Sequence, residues 1–152
     1  MYKIDEFSYK CGVIDCFAEM VKAGVKKLAL THPEDSVEVR DSYLEFIKDI
    51  TKEYGISYYV EDSSLLSDLF PVRMNKGKYL VIMYREENDI SEYLKLKEDK
   101  KQALLDNRYD ECRKDIAYRF GYLLGYKDQD IQRYIDQNDD KEQSKELSIE
   151  FL

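Results

Sequence analysis

Hydrophobic residues recur along this chain at two spacings, one typical of helices and one typical of strands. In residues 6–23 apolar side chains return every three or four positions, and Asp5 precedes them as a capping residue, which predicts a first helix. A second helical stripe ends at Gly55, and Asp35 and Glu38 before it have the spacing of a capping box. Its members are Arg40, Tyr43, Leu44, Ile47, Ile50 and Tyr54.

Short apolar runs flank the second helix. Residues 25–31 are followed by the breaker Pro33, and residues 56–61 follow Gly55, so both runs predict strands. The order strand, helix, strand predicts a right-handed β-α-β crossover that makes two neighbouring parallel strands. Residues 78–84 are apolar on both alternating faces, which predicts a third strand inside a sheet that is covered on both sides.

From Ile90 onward the pattern turns helical, and Asp128 stands where it can cap a last helix. The sequence therefore predicts a small α/β fold: a three-stranded sheet with one β-α-β crossover, an amino-terminal helix and a helical carboxyl-terminal third. The alternative is a mostly α fold with a two-stranded sheet, because residues 25–31 would also continue the first helical stripe. The length of 152 residues fits one domain. We place that domain at residues 1–137 and expect the hydrophilic residues 138–152 to form a frayed tail.

The chain is acidic, with 24 Lys and Arg residues against 32 Asp and Glu residues and a formal charge of −8. Phosphate backbones and anionic membranes repel such a molecule, so nucleic acid and membrane partners are not expected. A cluster of Lys95, Lys97, Lys100 and Lys101 is interrupted by two acidic residues and predicts a solvated helix face. The first residues lack the apolar core of a signal peptide, and no apolar run reaches the length of a membrane span. We therefore expect a soluble, cytoplasmic protein.

The candidate functional residues follow the first two predicted strands. His32, the only histidine, and Asp35 follow the first strand, while Glu61 and Asp62 close the second. Ligands of open α/β sheets bind beyond the carboxyl ends of such strands. An imidazole beside carboxylates can act as a general base, so His32, Glu61 and Asp62 are the candidate catalytic residues. Nitrogen and oxygen donors also bind divalent cations, so His32, Asp35 and Glu61 are the candidate metal ligands.

Familiar catalytic and cofactor motifs are missing. The 6 glycines are scattered singly, and neither a phosphate-binding loop nor a Gly-x-Ser-x-Gly elbow can be written. Three cysteines without CxxC spacing argue against a disulfide framework or a zinc knuckle. No cofactor is predicted beyond the divalent metal. The leading hypothesis is a non-enzymatic binding or regulatory module for a protein partner or a small polar ligand, and a homo-oligomer is compatible with it. The alternative is a small hydrolase that uses His32 with Glu61 or Asp62, with or without a metal.

One segment resembles a known motif. Residues 120–135 look like the helix-turn-helix of bacterial DNA-binding proteins, with Gly125 in the turn and Ile131 packing back on the first helix. This resemblance implies DNA binding as a third hypothesis. The second helix departs from the motif because it presents Asp128 and Asp130 with only Arg133 positive, whereas affinity for DNA rests on neutralising phosphates. A plain helical hairpin explains the same residues.

Overall fold

A three-stranded sheet lies between two helical layers in the computed structural model, which describes residues 1–143. The helices precede, connect and follow the strands. In chain order the elements are α1 (Glu6–Lys22), β1 (Leu28–Leu30), α2 (Val37–Asp41), α3 (Leu44–Tyr54), β2 (Ser57–Glu61), α4 (Val72–Asn75), β3 (Leu80–Tyr84), α5 (Glu87–Leu105), α6 (Tyr109–Leu123) and α7 (Asp128–Gln137). The predicted small α/β fold is confirmed.

The order of the strands differs from the prediction. The sheet order is β1-β3-β2, and β3 is antiparallel to both neighbours. The crossover from β1 through α2 and α3 to β2 therefore joins two strands of the same direction, but β3 lies between them. The expectation that these two strands are neighbours was wrong. The physical reason is burial: all five residues of β3 are buried, so this strand takes the centre, and the half-exposed β2 takes an edge.

Each face of the sheet packs on its own helical layer. Because side chains alternate along a strand, Val81 and Met83 face α1 and α3. Leu80 and Ile82 point to the other face and pack against α5, α6 and α7. The sheet is thus covered on both sides, as the apolar pattern of the third strand predicts.

Two features of the predicted second helix differ in the structure. The stripe breaks at Ser42 and Tyr43, so α2 and α3 are separate helices. The amino-terminal cap is Ser36, whose hydroxyl accepts a hydrogen bond from the Val39 amide at 3.2 Å, and not Asp35. Gly55 ends α3 with a φ of 69°, a left-handed conformation that glycine adopts without steric cost.

The first residues of the predicted tail, 138–143, are among those that the structure describes. Asn138 is buried and its side-chain amide donates to the carbonyl oxygen of Asp68 at 3.0 Å. The Val72 amide donates to the carbonyl oxygen of Asp140 at 2.9 Å, and the Glu142 side chain is buried. Residues 138–143 therefore pack against the fold, since polar groups in this segment find partners on α4, α5 and α6. The rest of the predicted tail, residues 144–152, lies outside the described residues.

None of the helices in residues 1–143 has both the length and the apolar composition that a bilayer crossing requires.

Candidate functional site

His32 lies on the surface beyond β1. Its side chain is 63% exposed, and its Nδ1 atom is 3.3 Å from Oε1 of Glu34. The same carboxylate oxygen of Glu34 accepts a shorter hydrogen bond, 2.8 Å, from Nζ of Lys10. Asp35 lies three residues further along the chain and pairs with Lys78, and this hydrogen bond is the main reason that the pKa of Asp35 is lowered.

Asp62 is held by a buried arginine that sequence reasoning treated only as a member of a helical stripe. Nη2 of Arg40 donates to Oδ1 of Asp62 at 2.8 Å. Nη1 of Arg40 donates to the carbonyl oxygens of Glu61 at 3.1 Å and Leu80 at 3.3 Å. The guanidinium therefore joins the end of β2 to the start of β3. The signal that could have revealed this role is a charged residue inside an otherwise apolar stripe.

Glu61 is the last residue of β2, and its side chain is buried. The central strand β3 separates β2 from β1. Oε2 of Glu61 accepts hydrogen bonds from the Tyr93 hydroxyl at 2.7 Å and from Nζ of Lys97 at 3.0 Å, and its Oε1 accepts from the Ser63 amide at 3.0 Å. Burial is the main cause that raises the pKa of Tyr93, and the Glu61 carboxylate adds to it. These three donors satisfy the carboxylate and fix the turn that follows β2.

The predicted site residues therefore have separate partners. His32 and Asp35 are within electrostatic reach of each other, but Glu61 faces α5, and β3 separates the two strand ends. Within residues 1–143, no group of three or more His, Cys, Asp or Glu side chains is arranged to hold a metal ion. The catalytic and metal-binding roles of His32, Asp35, Glu61 and Asp62 stay predictions.

A cleft of about 510 Å³ opens beside the Glu61 network. Its walls come from the turn after β2, from α4 and α5, and from the segment that follows α7. The lining residues are Ser63, Ser64, Leu65, Leu66, Val72, Lys76, Leu94, Lys97, Glu98, Lys100, Lys101, Asp139, Asp140, Lys141, Glu142 and Gln143.

A buried ion pair forms the base of this cleft. The side chains of Lys100 and Glu142 are only 3% and 4% exposed, and Nζ of Lys100 donates to both carboxylate oxygens of Glu142, at 2.8 and 3.0 Å. The ammonium also donates to the carbonyl oxygen of Leu66 at 2.7 Å, and the Tyr109 hydroxyl donates to Glu142 at 2.9 Å. Burial lowers the pKa of Lys100 and raises the pKa of Tyr109. The network ties α5 and α6 to both walls of the cleft.

A second ion pair fixes the segment after α7, which forms one wall of the cleft. The guanidinium of Arg113 donates to both carboxylate oxygens of Asp68, at 2.8 and 2.9 Å, and this pairing raises the pKa of Arg113. Nη2 of Arg113 also donates to the carbonyl oxygen of Glu142 at 2.7 Å. Such paired, doubly hydrogen-bonded charges define one geometry, so the cleft is held in shape before any ligand enters.

Two lysines of the cleft have hydrogen-bond donors left over for a ligand. Lys97 directs two bonds to protein oxygens, on Glu61 and Ser63, and an ammonium has a third proton. Lys101 is exposed and has no hydrogen-bond or ion-pair partner among the described residues. Asp139 and Asp140 are already engaged by Arg73. The cleft can therefore accept an acidic group next to apolar side chains such as Leu94, which is 39% exposed.

Sequence reasoning missed this site because it took the four lysines of α5 as one solvated face. Lys100 is buried instead, and Lys97 is partly buried against Tyr93. The available signal was spacing: Tyr93, Leu96, Lys100 and Ala103 recur at helical intervals and form the buried face of α5. A lysine on such a face indicates a buried partner, which here is Glu142.

Comparisons with protein-family models, with curated proteins and with solved structures found no match to this chain. Any functional assignment therefore rests on the geometry of the site itself.

Proposed function

We propose that this protein is a non-enzymatic binding module that takes a small organic acid in the cleft between α5 and the segment after α7. The observation that carries the proposal is the pair of lysines, Lys97 and Lys101, whose remaining donors face a cleft that the buried Lys100–Glu142 pair holds in shape. The volume of about 510 Å³ is within the usual range of small-molecule sites. Apolar contacts with Leu94 and Val72 would receive the rest of the ligand.

Ligand binding is better supported than hydrolysis because of where the candidate acid and base groups lie and what they contact. His32 is exposed beyond β1 and contacts Glu34, and Glu61 accepts three hydrogen bonds that fix it in the fold. General acid–base catalysis needs a group within hydrogen-bond reach of the reacting proton in a substrate pose. The cleft offers charged donors for recognition, whereas its carboxylates Asp139, Asp140 and Glu142 are engaged with protein donors.

DNA binding has weaker support. Gly125 has a φ of 89° in the turn between α6 and α7, and Ile131 is buried against Gly121, which suits the helical hairpin. However, Arg133 donates to Asp130, and the first turn of α7 contains two acidic residues. The surface that would meet phosphates is therefore acidic, which disfavours the complex.

The test uses anilinonaphthalene sulfonate, a fluorescent anion with an apolar body, as the probe. We expect saturable binding by the native protein. Removing a cationic donor in Lys101→Ala should weaken binding about three- to ten-fold, the effect of one charged hydrogen bond at a partly exposed site. The matched control is Lys95→Ala, which removes an exposed lysine of the same helix outside the cleft. Equal weakening in both variants, or no binding to the native chain, would contradict the proposal.

A further inference from the structure

The outer edge of β2 has main-chain groups without a partner strand. The sheet order places β2 at an edge, with β3 on one side only. The Thr31 amide donates to the Val81 carbonyl oxygen at 2.9 Å, so the main chain of Val81 faces β1. Because hydrogen-bonding directions alternate along an antiparallel strand, Leu80, Ile82 and Tyr84 face β2.

The register then fixes which groups of β2 face outward. Ser57, Tyr59 and Glu61 lie opposite the three residues of β3 that face them. The N–H and C=O groups of Tyr58 and Val60 therefore point away from the sheet. Within the described residues, no backbone–backbone hydrogen bond outside the helices and strands involves either residue, and Val60 is 38% exposed.

This edge lacks three of the features that usually prevent strand pairing. Exposed edges are commonly protected by proline, by lysine or by a bulge. The five residues of β2 contain neither residue type, and their pairing with β3 is continuous from Ser57 to Glu61. The edge is thus a regular strand that another strand can extend.

We infer that β2 pairs with β2 of a second copy of this chain, antiparallel about a two-fold axis at Tyr59. In that register Tyr58 lies opposite Val60 of the partner subunit, and both exchange main-chain hydrogen bonds. Tyr59 lies opposite its symmetry mate, and Ser57 lies opposite Glu61 of the partner subunit. Aromatic residues then meet aromatic or β-branched residues and no like charges face each other, which are the favourable cross-strand pairs.

The self-complementary register is what favours a second copy over a foreign peptide. A two-fold interface requires a surface that fits itself, and the outward groups of Tyr58 and Val60 satisfy that condition in both directions. The two sheets become one continuous sheet in the dimer. The cleft beside α5 is not part of this interface, so the inference does not depend on the proposed ligand.

Sedimentation equilibrium of the full chain tests the inference. We expect a concentration-dependent mass that approaches twice 18.1 kDa for the parent. Val60→Pro removes an outward N–H without removing a hydrogen bond to β3, and Val60→Lys adds an edge charge, so both should raise the dimer dissociation constant more than about ten-fold. The control is Val39→Lys, at a valine of α2 that is 44% exposed, which should dimerise like the parent.

Amide hydrogen exchange of the parent provides a second measurement that needs no variant. The amides of Tyr58 and Val60 should become protected as the protein concentration rises, while the amide of Val39 should not change in this way. A parent that stays monomeric, a dimer that both Val60 variants leave intact, or concentration-independent exchange at Tyr58 and Val60 would overturn the inference.

Discussion

At the scale of single residues, the buried charges of Arg40 and Glu61 are surrounded by hydrogen bonds. Arg40 donates to two carbonyl oxygens and two carboxylates, and Glu61 accepts from three donors. Within the described residues, no buried side-chain nitrogen or oxygen lacks a partner. Because an unpaired buried charge is strongly destabilising, the hydrogen bonds of Arg40 and Glu61 stabilise the fold. His32 differs because most of its side chain is in solvent.

The first prediction compares two members of the predicted catalytic set. His32→Ala should change the free energy of unfolding by less than about 0.5 kcal/mol, as expected for an exposed side chain. Glu61→Gln should cost about 1 to 3 kcal/mol, because the amide cannot accept from all three donors. Urea denaturation measures both values. Equal costs for the two variants would mean that the Glu61 network contributes nothing beyond a surface contact.

At the scale of elements, close approach between helices explains where glycine is needed. Gly121 of α6 lies under Ile131 of α7, and a Cβ atom at this position would lie 2.5 Å from Cγ1 of Ile131. Gly12 of α1 is different, because a Cβ atom there would meet no atom of another described element within 4 Å. The sequence predicted the turn at Gly125 and the packing of Ile131, but the close contact at Gly121 depends on how the two helices cross.

The second prediction uses these two glycines as a matched pair. Gly121→Ala should destabilise the protein by about 1 to 3 kcal/mol, because a methyl group overpacks the buried contact with Ile131. Gly12→Ala should stabilise it by up to about 1 kcal/mol through helix propensity alone. Thermal and urea unfolding measure both changes. A stabilised Gly121→Ala variant would show that α6 and α7 are farther apart than described.

The third prediction concerns the segment after α7. Glu142→Ala leaves the buried ammonium of Lys100 without its carboxylate, which should cost about 3 to 5 kcal/mol. Glu98→Ala, at an exposed position of the same cleft, should change stability by less than about 0.5 kcal/mol. The double variant Lys100→Met/Glu142→Leu should lose less than the sum of its single variants. A loss below about 1 kcal/mol in Glu142→Ala would show that this segment is not fixed to α5.

At the scale of the whole molecule, the sequence predicts helices and strands from periodic apolar positions. It does not predict the sheet order or the cleft, because both are formed by segments that are distant in sequence. The apolar positions of β3 correctly predict a strand covered on both faces. They do not say which strands flank it, and the preference for sequential neighbours favoured the wrong order. The cleft joins the turn after β2, two helices and the segment after α7. No local motif encodes that assembly, and the hydrophilic residues 138–143 resemble a tail because their cationic partners are far away in sequence.

The fourth prediction is a pH dependence at an ion pair between helices. Asp99 accepts hydrogen bonds from Lys95 and from Arg119, and these bonds lower its pKa below the ordinary value of 3.8. Between the folded pKa of Asp99 and 3.8, its pKa in the unfolded chain, the unfolded chain binds more protons than the folded one. The stabilisation is therefore complete above pH 3.8 and is lost as the pH falls through the folded pKa. Asp99→Asn should cost up to about 1 kcal/mol at neutral pH, since the pair is partly solvated.

Urea denaturation at neutral and acid pH checks this dependence. The difference between Asp99→Asn and the parent should shrink as the pH falls below 3.8. Asp49→Asn, at an exposed position of α3, is the control and should show no such convergence. A difference that grows toward acid pH would reverse the assigned sign.

The proposal that matters most for function is that the cleft beside α5 binds the ligand. Titration of the isotope-labelled native protein with anilinonaphthalene sulfonate, followed by amide NMR spectra, locates the bound probe residue by residue. We expect saturable shifts that centre on Leu94, Lys97, Lys101 and residues 63–66, with smaller shifts at Lys95. Shifts that centre on His32 and Asp62, or no saturable shifts at all, would contradict binding in this cleft.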